Sequence, residues 1–397
     1  MKEKGINGEA TKRMNRLLVL RLLCTVPELS RTEITRRTGL AKMTVTNITA
    51  DLIAHRVIQE TVPLDNGRTG AGRKQMALRL SDGAPCVLGI WLSRDGCQGV
   101  AVTPELKELA RHEFRFAEQE TAAAILEKLS GLCKCLLADA GRSISGVGVA
   151  AVGPLDTREG VILNPPNFFG IRDFALAELL SQRLGLPVFL QNDMNAAALA
   201  EKYYGLGQNV RNFAYVGVTN GIGAGIVLDD KLFEGTRGFS GELGHVVIDS
   251  RGELCHCGNR GCLETFASVP RVLERFSQRF GRAFSTMEEV CHLSGQDQAA
   301  GALLEEICGE LATALVSFCN LFDPELILIG HDGAALGDRQ LRWMEKMVNQ
   351  RILAGRFAGV RILRSSFGRM APVYGAAVTV LEKIFAGGFL YEDLFSE

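Results

Sequence analysis

The segment "GELGHVVIDSRGELCHCGNRGCLET" (241–265) restricts the fold more than any other part of the chain. It places Cys255 and Cys257 with one residue between them, Cys262 five positions after Cys257, and His245 ten positions before Cys255. Three thiolates and one imidazole suit a closed tetrahedral zinc site, whereas unliganded cysteines in a polar loop are prone to oxidation. The spacing therefore favours a structural Zn²⁺ over a catalytic site or a cysteine-rich surface loop.

Composition sets the class of protein. The chain has 397 residues, of which 47% are apolar and 22% charged, enough to bury the cores of two or three domains. No apolar run reaches the roughly 20 residues of a membrane span, and the N-terminus lacks the apolar core of a signal peptide. The 11 cysteines are an odd number, which argues against a disulfide framework. These features predict a cytoplasmic protein with no membrane association.

Charge is distributed unevenly along the chain. Residues 1–80 carry 15 Lys and Arg against 7 Asp and Glu, a balance of +8. The totals of 44 and 45 leave 29 against 38 for the remainder, a balance of −9. A basic N-terminal part joined to an acidic body suggests that the first part binds a polyanion, although a solvated basic surface has the same composition.

A short pattern in the basic part predicts a helix-turn-helix. Ser30 and Glu33 have the spacing of a capping box, in which each side chain accepts a hydrogen bond from the other residue's backbone N–H. A short helix to about Thr38 and a turn at Gly39 follow. The second helix is amphipathic, with an apolar stripe of Val45, Ile48, Leu52 and Ile53. Polar residues off this stripe are expected to face the DNA major groove: Lys42, Thr44, Thr46 and Asn47.

The flanking segments complete a winged helix-turn-helix over residues 1–82. "NRLLVLRLLCTV" predicts a first helix that packs behind the other two. Two extended segments downstream surround a basic, glycine-rich tip, in which Arg68, Arg73 and Lys74 could contact phosphates or enter a minor groove. The alternative is a three-helix bundle with a basic linker. The order of these signals favours binding to double-stranded DNA.

Residues 83–397 alternate strand-like and helical segments. The strand-like runs are short, rich in β-branched residues and bounded by glycine: "CVLGIWL", "QGVAV", "ISGVGVAAVG", "PVFLQ", "NFAYVGV" and "ELILIG". Such alternation predicts α/β domains, here two lobes with a cleft between them. The helical segment 299–322 is apolar enough for either a core or an interface.

Three motifs of this body resemble the ROK family, named for its repressors, open reading frames and kinases. They are "QNDMNAAALAE" (191–201), "GELGH" (241–245) and "CHCGNRGCLETFAS" (255–268). With the N-terminal domain included, the resemblance covers nearly the whole chain. Within the family, the chain resembles the N-acetylglucosamine, xylose and glucose types of repressor. It implies an actin-like, ribonuclease-H-like sugar-kinase fold, with the zinc loop at about 245–262, and the same four zinc ligands.

The resemblance also implies which residues hydrogen-bond the hydroxyl groups of a sugar. Amide, imidazole and carboxylate groups suit this task because they donate or accept in fixed geometry. The alternative for Asp193 is an N-cap of the helix that follows it, and His256 is expected to face solvent. The implied sugar-binding residues are Asn167, Asn192, Asp193, Glu242, His245 and Glu264.

The nucleotide motifs separate a regulator from a kinase. In the family's kinases Asp193 would be the base that deprotonates the accepting hydroxyl, and phosphoryl transfer also needs a cradle for the nucleotide phosphates. Trp91 stands where the kinases carry an acidic residue, and His331 and Asp332 interrupt the glycine motif of the adenosine side. The glycine run "TNGIGAGIV" (219–227) is partly kept. We therefore expect no enzyme activity, with an ATP-dependent sugar kinase as the alternative.

The combined prediction is a DNA-binding transcriptional regulator. We expect it to repress genes of carbohydrate metabolism, including those of xylose metabolism, under the control of a sugar or sugar phosphate. A bifunctional or differently liganded regulator is a further alternative. Because a helix-turn-helix usually reads two half-sites, a homodimer or homotetramer is expected. The sequence does not fix the effector, the operator or whether the effector releases the DNA.

Overall fold

The computed structural model describes residues 8–63 and 76–386, which fold into mixed α/β architecture, as predicted. The chain divides into two compact units. The first comprises Met1–Val149, Leu176–Phe189 and Ala377–Glu397, and the second Ala150–Ala175 and Leu190–Ala376. The expected boundary near residue 82 falls inside the first unit and stays a prediction. No helix of the described residues is long and apolar enough to span a membrane.

The N-terminal residues form three helices and a two-stranded sheet. The helix-turn-helix expected from the sequence is present, and β1 pairs antiparallel with β2 where a wing was predicted. The predicted tip residues Arg68, Arg73 and Lys74 lie outside the described residues. The elements are α1 (Gly8–Thr25), α2 (Arg31–Thr38), α3 (Lys42–Ala54), β1 (Ile58–Pro63) and β2 (Met76–Leu80).

The start of α2 differs from the predicted capping box. The Ser30 hydroxyl accepts a hydrogen bond from the Glu33 backbone N–H at 3.2 Å, as expected. The Glu33 carboxylate instead binds the guanidinium groups of Arg36 and Arg37. These charge-assisted hydrogen bonds lower the pKa of Glu33 to about 2. The reciprocal half of the capping box was therefore wrong, because two arginines one turn away are stronger partners than a backbone N–H.

A five-stranded sheet has the order β5-β4-β3-β6-β9. Strands β3, β4 and β5 form an antiparallel meander. Helix α4 has a buried face that includes Leu129 and Leu136. Its strands are β3 (Cys86–Leu92), β4 (Gly96–Val102), β5 (Glu108–Arg115), β6 (Ile144–Ala151) and β9 (Val188–Asn192). The helices between these strands in the sequence are α4 (Ala122–Ala140) and α5 (Leu176–Leu184). Strands β7 (Leu155–Asp156) and β8 (Val161–Ile162) pair with each other in a separate sheet.

The second five-stranded sheet, β12-β11-β10-β13-β14, belongs to the second unit. Strand β13 is parallel to β10 and β14, and β11 is antiparallel to β10. The strands are β10 (Phe213–Val218), β11 (Ile222–Leu228), β12 (Lys231–Leu232), β13 (Leu326–His331) and β14 (Arg361–Arg364). The helices of this unit are α6 (Asp193–Tyr204), α7 (Glu264–Ala267), α8 (Val269–Phe280), α9 (Met287–Gln296), α10 (Gln298–Phe322) and α11 (Asp338–Arg351). The last helix, α12 (Ala371–Phe385), begins in the second unit and continues into the first.

The core of the second unit lies between this sheet and helices α8, α9, α10 and α11. Helix α10 contributes Leu304, Leu311 and Leu315, all buried with Ile327 and Ile329 of β13. The segment predicted as either core or interface therefore has a core face. This packing fixes the sheet against which the cysteine-rich loop is held.

Candidate functional site

The cysteine-rich loop brings together the four predicted metal ligands. One donor atom from each of His245, Cys255, Cys257 and Cys262 lies within 4.8 Å of the others. The Sγ atoms of Cys257 and Cys262 are 3.6 Å apart, and Cys255 Sγ is 3.7 Å from His245 Nδ1. Zn–S bonds of about 2.3 Å and Zn–N bonds of about 2.0 Å in a tetrahedron give edges of about 3.5 to 3.8 Å. The four residues could therefore hold a metal ion.

Local backbone geometry explains why the sulfur atoms converge. Gly261 has a φ of +70°, and a Cβ atom there would lie 1.6 Å from the Asp249 carbonyl oxygen. Gly258 turns the chain at a φ of +94°, and the backbone N–H of Cys255 donates to the Asn259 carbonyl at 2.8 Å. Only glycine fits position 261 without moving the backbone. The loop thus folds back to place Cys262 beside the other two sulfurs.

The pKa values of the three cluster thiols are shifted in different directions. Burial raises the pKa of Cys255 and Cys262, while a backbone hydrogen bond from Asn259 lowers the pKa of Cys257. Metal ligation requires thiolates. A divalent cation at the centre of the cluster would supply the positive charge that three neighbouring thiolates need.

Glu264 joins the cluster to a second histidine. Its Oε1 atom lies 3.1 Å from Cys255 Sγ, 3.0 Å from His256 Nδ1 and 3.5 Å from His245 Nδ1. His256 is exposed, as predicted, yet its ring contacts this carboxylate and lies 5.2 Å from the His245 ring. The expectation that His256 only faces solvent was therefore incomplete. No local sequence pattern marks this contact, because it depends on the path of the loop.

Three of the six sugar-binding candidates cluster beside the metal ligands. Desolvation raises the pKa of Glu242, although its side chain reaches solvent, and His245 opposes that shift. The Gly241 carbonyl accepts a hydrogen bond from Ala224 of β11 at 2.7 Å, which fixes the start of the loop against the sheet. Glu242, His245 and Glu264 thus present two carboxylates and an imidazole on one loop, an arrangement that can hydrogen-bond vicinal hydroxyl groups.

Two further candidates lie at the start of α6. Asn192 is the N-cap, and its Oδ1 atom accepts hydrogen bonds from the backbone N–H groups of Met194 at 3.0 Å and Asn195 at 3.2 Å. Asp193 is the first helical residue, and its Oδ1 accepts from Met194 N–H at 2.9 Å. The alternative of Asp193 as the N-cap was therefore wrong by one residue. The Nδ2 group of Asn192 takes no part in the cap.

Asn167 stands apart from the other five candidates. It is exposed, and its backbone adopts the left-handed conformation with a φ of +57°. Across residues 8–63 and 76–386, it makes no hydrogen bond or ion pair with the other five. All six candidates belong to the second unit. Their roles toward a sugar stay predictions.

His331 and Asp332, which we predicted to interrupt a glycine motif, lie at the end of β13 and directly after it. His331 is buried with a φ of +53°, and its backbone N–H donates to Tyr215 Oη at 3.0 Å. Burial, with a smaller contribution from Arg369, lowers the pKa of His331 to about 3. Asp332 forms an ion pair with Arg369. A neutral His331 ring and the Asp332–Arg369 ion pair therefore occupy the positions at which we expected a run of glycines in a kinase.

The predicted DNA-contacting residues lie on α3. Lys42, Thr46 and Asn47 are exposed, whereas Thr44 is half-buried at the flank of the helix. The N-cap residue Ala41 gives the helix no side-chain cap, so the first N–H groups of α3 are available to an anionic partner. Arg68 and Arg73 lie outside the described part of the chain, and their roles stay predictions.

The chain is similar to a known protein family, to repressors of that family and to solved structures. The model of the ROK family matches residues 87–383. A xylose repressor of Caldicellulosiruptor bescii is 28% identical over 96% of this chain and 98% of its own. The crystal structure of a ROK family transcriptional regulator, a homologue of the E. coli MLC protein, superposes with a TM-score of 0.80 at 26% identity, over 97% of this chain and 99% of that one.

A kinase structure matches a smaller share of this chain. The ROK hexokinase of Thermus thermophilus has a TM-score of 0.64 at 29% identity and covers 75% of this chain and 98% of its own. The fold implied by the three sequence motifs is confirmed by both structures. Since the family model spans most of the chain and includes the sugar-site candidates and the metal loop, the chain belongs to the ROK family.

Proposed function

We propose that the protein is a DNA-binding transcriptional repressor of carbohydrate-metabolism genes whose DNA affinity is controlled by a sugar or sugar phosphate. The observation that carries this proposal is the presence in one chain of an exposed recognition helix, α3, and the cluster of Glu242, His245 and Glu264. The similarity to a xylose repressor makes xylose the first effector to test.

The proposed partners follow from the helix-turn-helix. A palindromic operator of double-stranded DNA would be read by two copies of α3, so the protein acts as a homodimer or homotetramer. We place the protein in the cytoplasm, because the operator DNA that it would bind lies there. The effector works by linkage: a ligand that binds one conformation better than another shifts the population that binds the operator.

The proposed cofactor is one structural Zn²⁺ per chain. His245, Cys255, Cys257 and Cys262 would hold it, because nitrogen and sulfur donors in a tetrahedral arrangement match the preference of this ion. Zinc would fix the orientation of the His245 ring through Nδ1, the atom that faces Cys255. The remaining ring nitrogen then carries the proton and becomes a defined donor.

In the effector site, we assign the carboxylates of Asp193, Glu242 and Glu264 as acceptors for sugar hydroxyl groups. His245 and the Nδ2 group of Asn192 are assigned as donors, and Asn167 as a further amide contact. This division follows from the chemistry of each group. It is supported by the commitment of Asn192 Oδ1 to the helix cap, which leaves only its donor end for a ligand.

We infer that the chain does not phosphorylate sugars. The buried His331 and the Asp332–Arg369 ion pair support this inference. Its test is ATP hydrolysis measured with xylose, glucose and N-acetylglucosamine, with a sugar kinase as positive control. Turnover that depends on one of these sugars would show that the kinase alternative holds.

The proposed repressor function is tested by selecting duplexes from a random library with the full-length protein. Selected duplexes are then titrated by fluorescence anisotropy with and without each sugar and sugar phosphate. We expect one consensus operator whose affinity changes with one class of sugar. Failure to enrich any sequence would refute the DNA-binding role, and enrichment without any sugar response would refute the effector role.

A further inference from the structure

The outward face of α3 contains an apolar residue that the polar pattern of the sequence did not single out. Met43, Thr46, Asn47 and Ala50 are all exposed. Their spacing of three, four and seven residues places them in one row along the helix. The opposite side of α3 is buried in the N-terminal core through Val45, Ile48 and Leu52.

Met43 is largely exposed to solvent. Its side chain is 70% exposed at the N-terminal end of the row. Thr44, which follows it, is half-buried and therefore turned toward the flank of the helix. A long apolar side chain is thus exposed, beside Lys42, at the end of α3 that enters the major groove in a helix-turn-helix.

Neighbouring groups in the row limit what the face can recognise. The Thr46 hydroxyl donates to the Lys42 carbonyl of its own helix at 2.9 Å, so this proton is already used. The Asn47 amide has no hydrogen-bond partner in the described residues. The row therefore offers a thioether, methyl groups and one free amide, and the one basic residue of α3 is Lys42, which is exposed just before the row begins.

This chemistry matches one kind of base pair. In the major groove only thymine carries a C5-methyl group, which apolar side chains contact, and an asparagine amide pairs bidentately with adenine N6 and N7. Guanine is read mainly by arginine or lysine. We propose that Met43 contacts the C5-methyl group of a thymine and that, with Asn47, it selects A·T pairs within each half-site. This rests on the proposed DNA-binding function, with α3 in the major groove.

The test removes the methyl group from the DNA and the thioether from the protein. Each thymine of a duplex selected by the wild-type protein is replaced in turn by 2′-deoxyuridine, which lacks only the methyl group. We expect a loss of about fourfold in affinity at one symmetric position, the value of one buried methyl group. In Met43→Ala this position should become insensitive to the replacement.

Two variants serve as controls. Met14→Ala removes another exposed methionine, 60% exposed on α1, and should keep the wild-type dependence. Met43→Leu keeps an apolar side chain and should retain sensitivity at the same position. If Met43→Ala keeps the full uracil penalty, or if no thymine of the site is sensitive in the wild type, the assignment of Met43 is wrong. If the wild-type protein selects no duplex, the DNA-binding function itself fails, and the Met43 assignment with it.

Discussion

The Oε1 atom of Glu264 lies 3.1 Å from the Sγ atom of Cys255. The same carboxylate faces the turn between β10 and β11, because a Cβ atom added to Gly221 would lie 3.5 Å from Oε2. One side chain thus contacts the cluster of predicted metal ligands and faces the glycine-rich hairpin. A change in the occupancy of the cluster is therefore expected to alter the effector site.

The first prediction concerns metal content. Wild-type protein should contain about one zinc per chain, and Cys257→Ser should lose most of it, because three ligands no longer close the tetrahedron. Elemental analysis of metal-replete protein measures this. Cys135→Ser removes an exposed cysteine outside the cluster and should keep the metal. Full occupancy in Cys257→Ser would contradict the ligand set.

A second prediction couples zinc to the effector. His245→Ala and Cys262→Ser should bind the operator with wild-type affinity but lose the response to the effector, since the His245 ring and Glu264 are no longer oriented. Operator affinity is measured with and without saturating effector, and circular dichroism confirms folding. A folded, zinc-free variant with a wild-type response would show that the metal does not act on the effector site.

The third prediction tests the start of α2. Ser30→Ala removes the hydroxyl that accepts from Glu33 N–H, and loss of such a cap costs about 1 kcal/mol. Amide hydrogen exchange in α2 should accelerate roughly fivefold if exchange follows local opening. Ser250→Ala, at an exposed loop position, is the control and should leave α2 unchanged. Equal exchange in wild type and Ser30→Ala would contradict this role.

The fourth prediction separates phosphate from base contacts. Arg68→Ala and Arg73→Ala should each weaken binding to all duplexes and reduce the slope of log affinity against log salt by about 1. Thr44→Ala and Asn47→Ala should instead relax base preference and leave the slope nearly unchanged. Titrations at several salt concentrations on selected and scrambled duplexes distinguish the two classes. A salt slope unchanged in both arginine variants would exclude phosphate contacts at the predicted tip.

A fifth prediction follows from the lowered pKa of His331. Its ring should stay neutral down to about pH 3, while an unfolded histidine titrates near pH 6.5. Between these values the unfolded chain binds the additional proton, so this group makes stability fall as pH decreases from about 6.5 toward 3. The histidine ring resonances followed by NMR give the test, with assignment by His331→Gln. Titration of the His331 ring near pH 6 would contradict its burial.

Much of the architecture was predictable because its signals are local. The six predicted strand segments all contain strands, and Gly39 takes the left-handed conformation at the end of α2. Strand β5 (Glu108–Arg115) was not predicted, since its sequence is rich in charge and mostly solvent-accessible. A sheet-edge strand of this kind depends on its pairing with β4 more than on its own composition.

The candidate site was predictable in residue type but less so in detail. The four predicted metal ligands follow from spacing, and the structure brings their donor atoms together. Which of Asn192 and Asp193 caps α6 depends on one backbone conformation, the extended φ and ψ of Asn192, and both side chains can serve. The Glu264–His256 contact depends on the path of the loop, which no local pattern encodes.

Gly261 restricts how this protein can be re-engineered. The Asp249 carbonyl occupies the space of any side chain at position 261, so every substitution there displaces a backbone segment that carries a ligand. A library designed to change the sugar specificity should therefore vary positions 242 and 264 and hold 261 constant. Variants at 261 are expected to disappear from such a library through loss of folded protein, whatever sugar is used for selection.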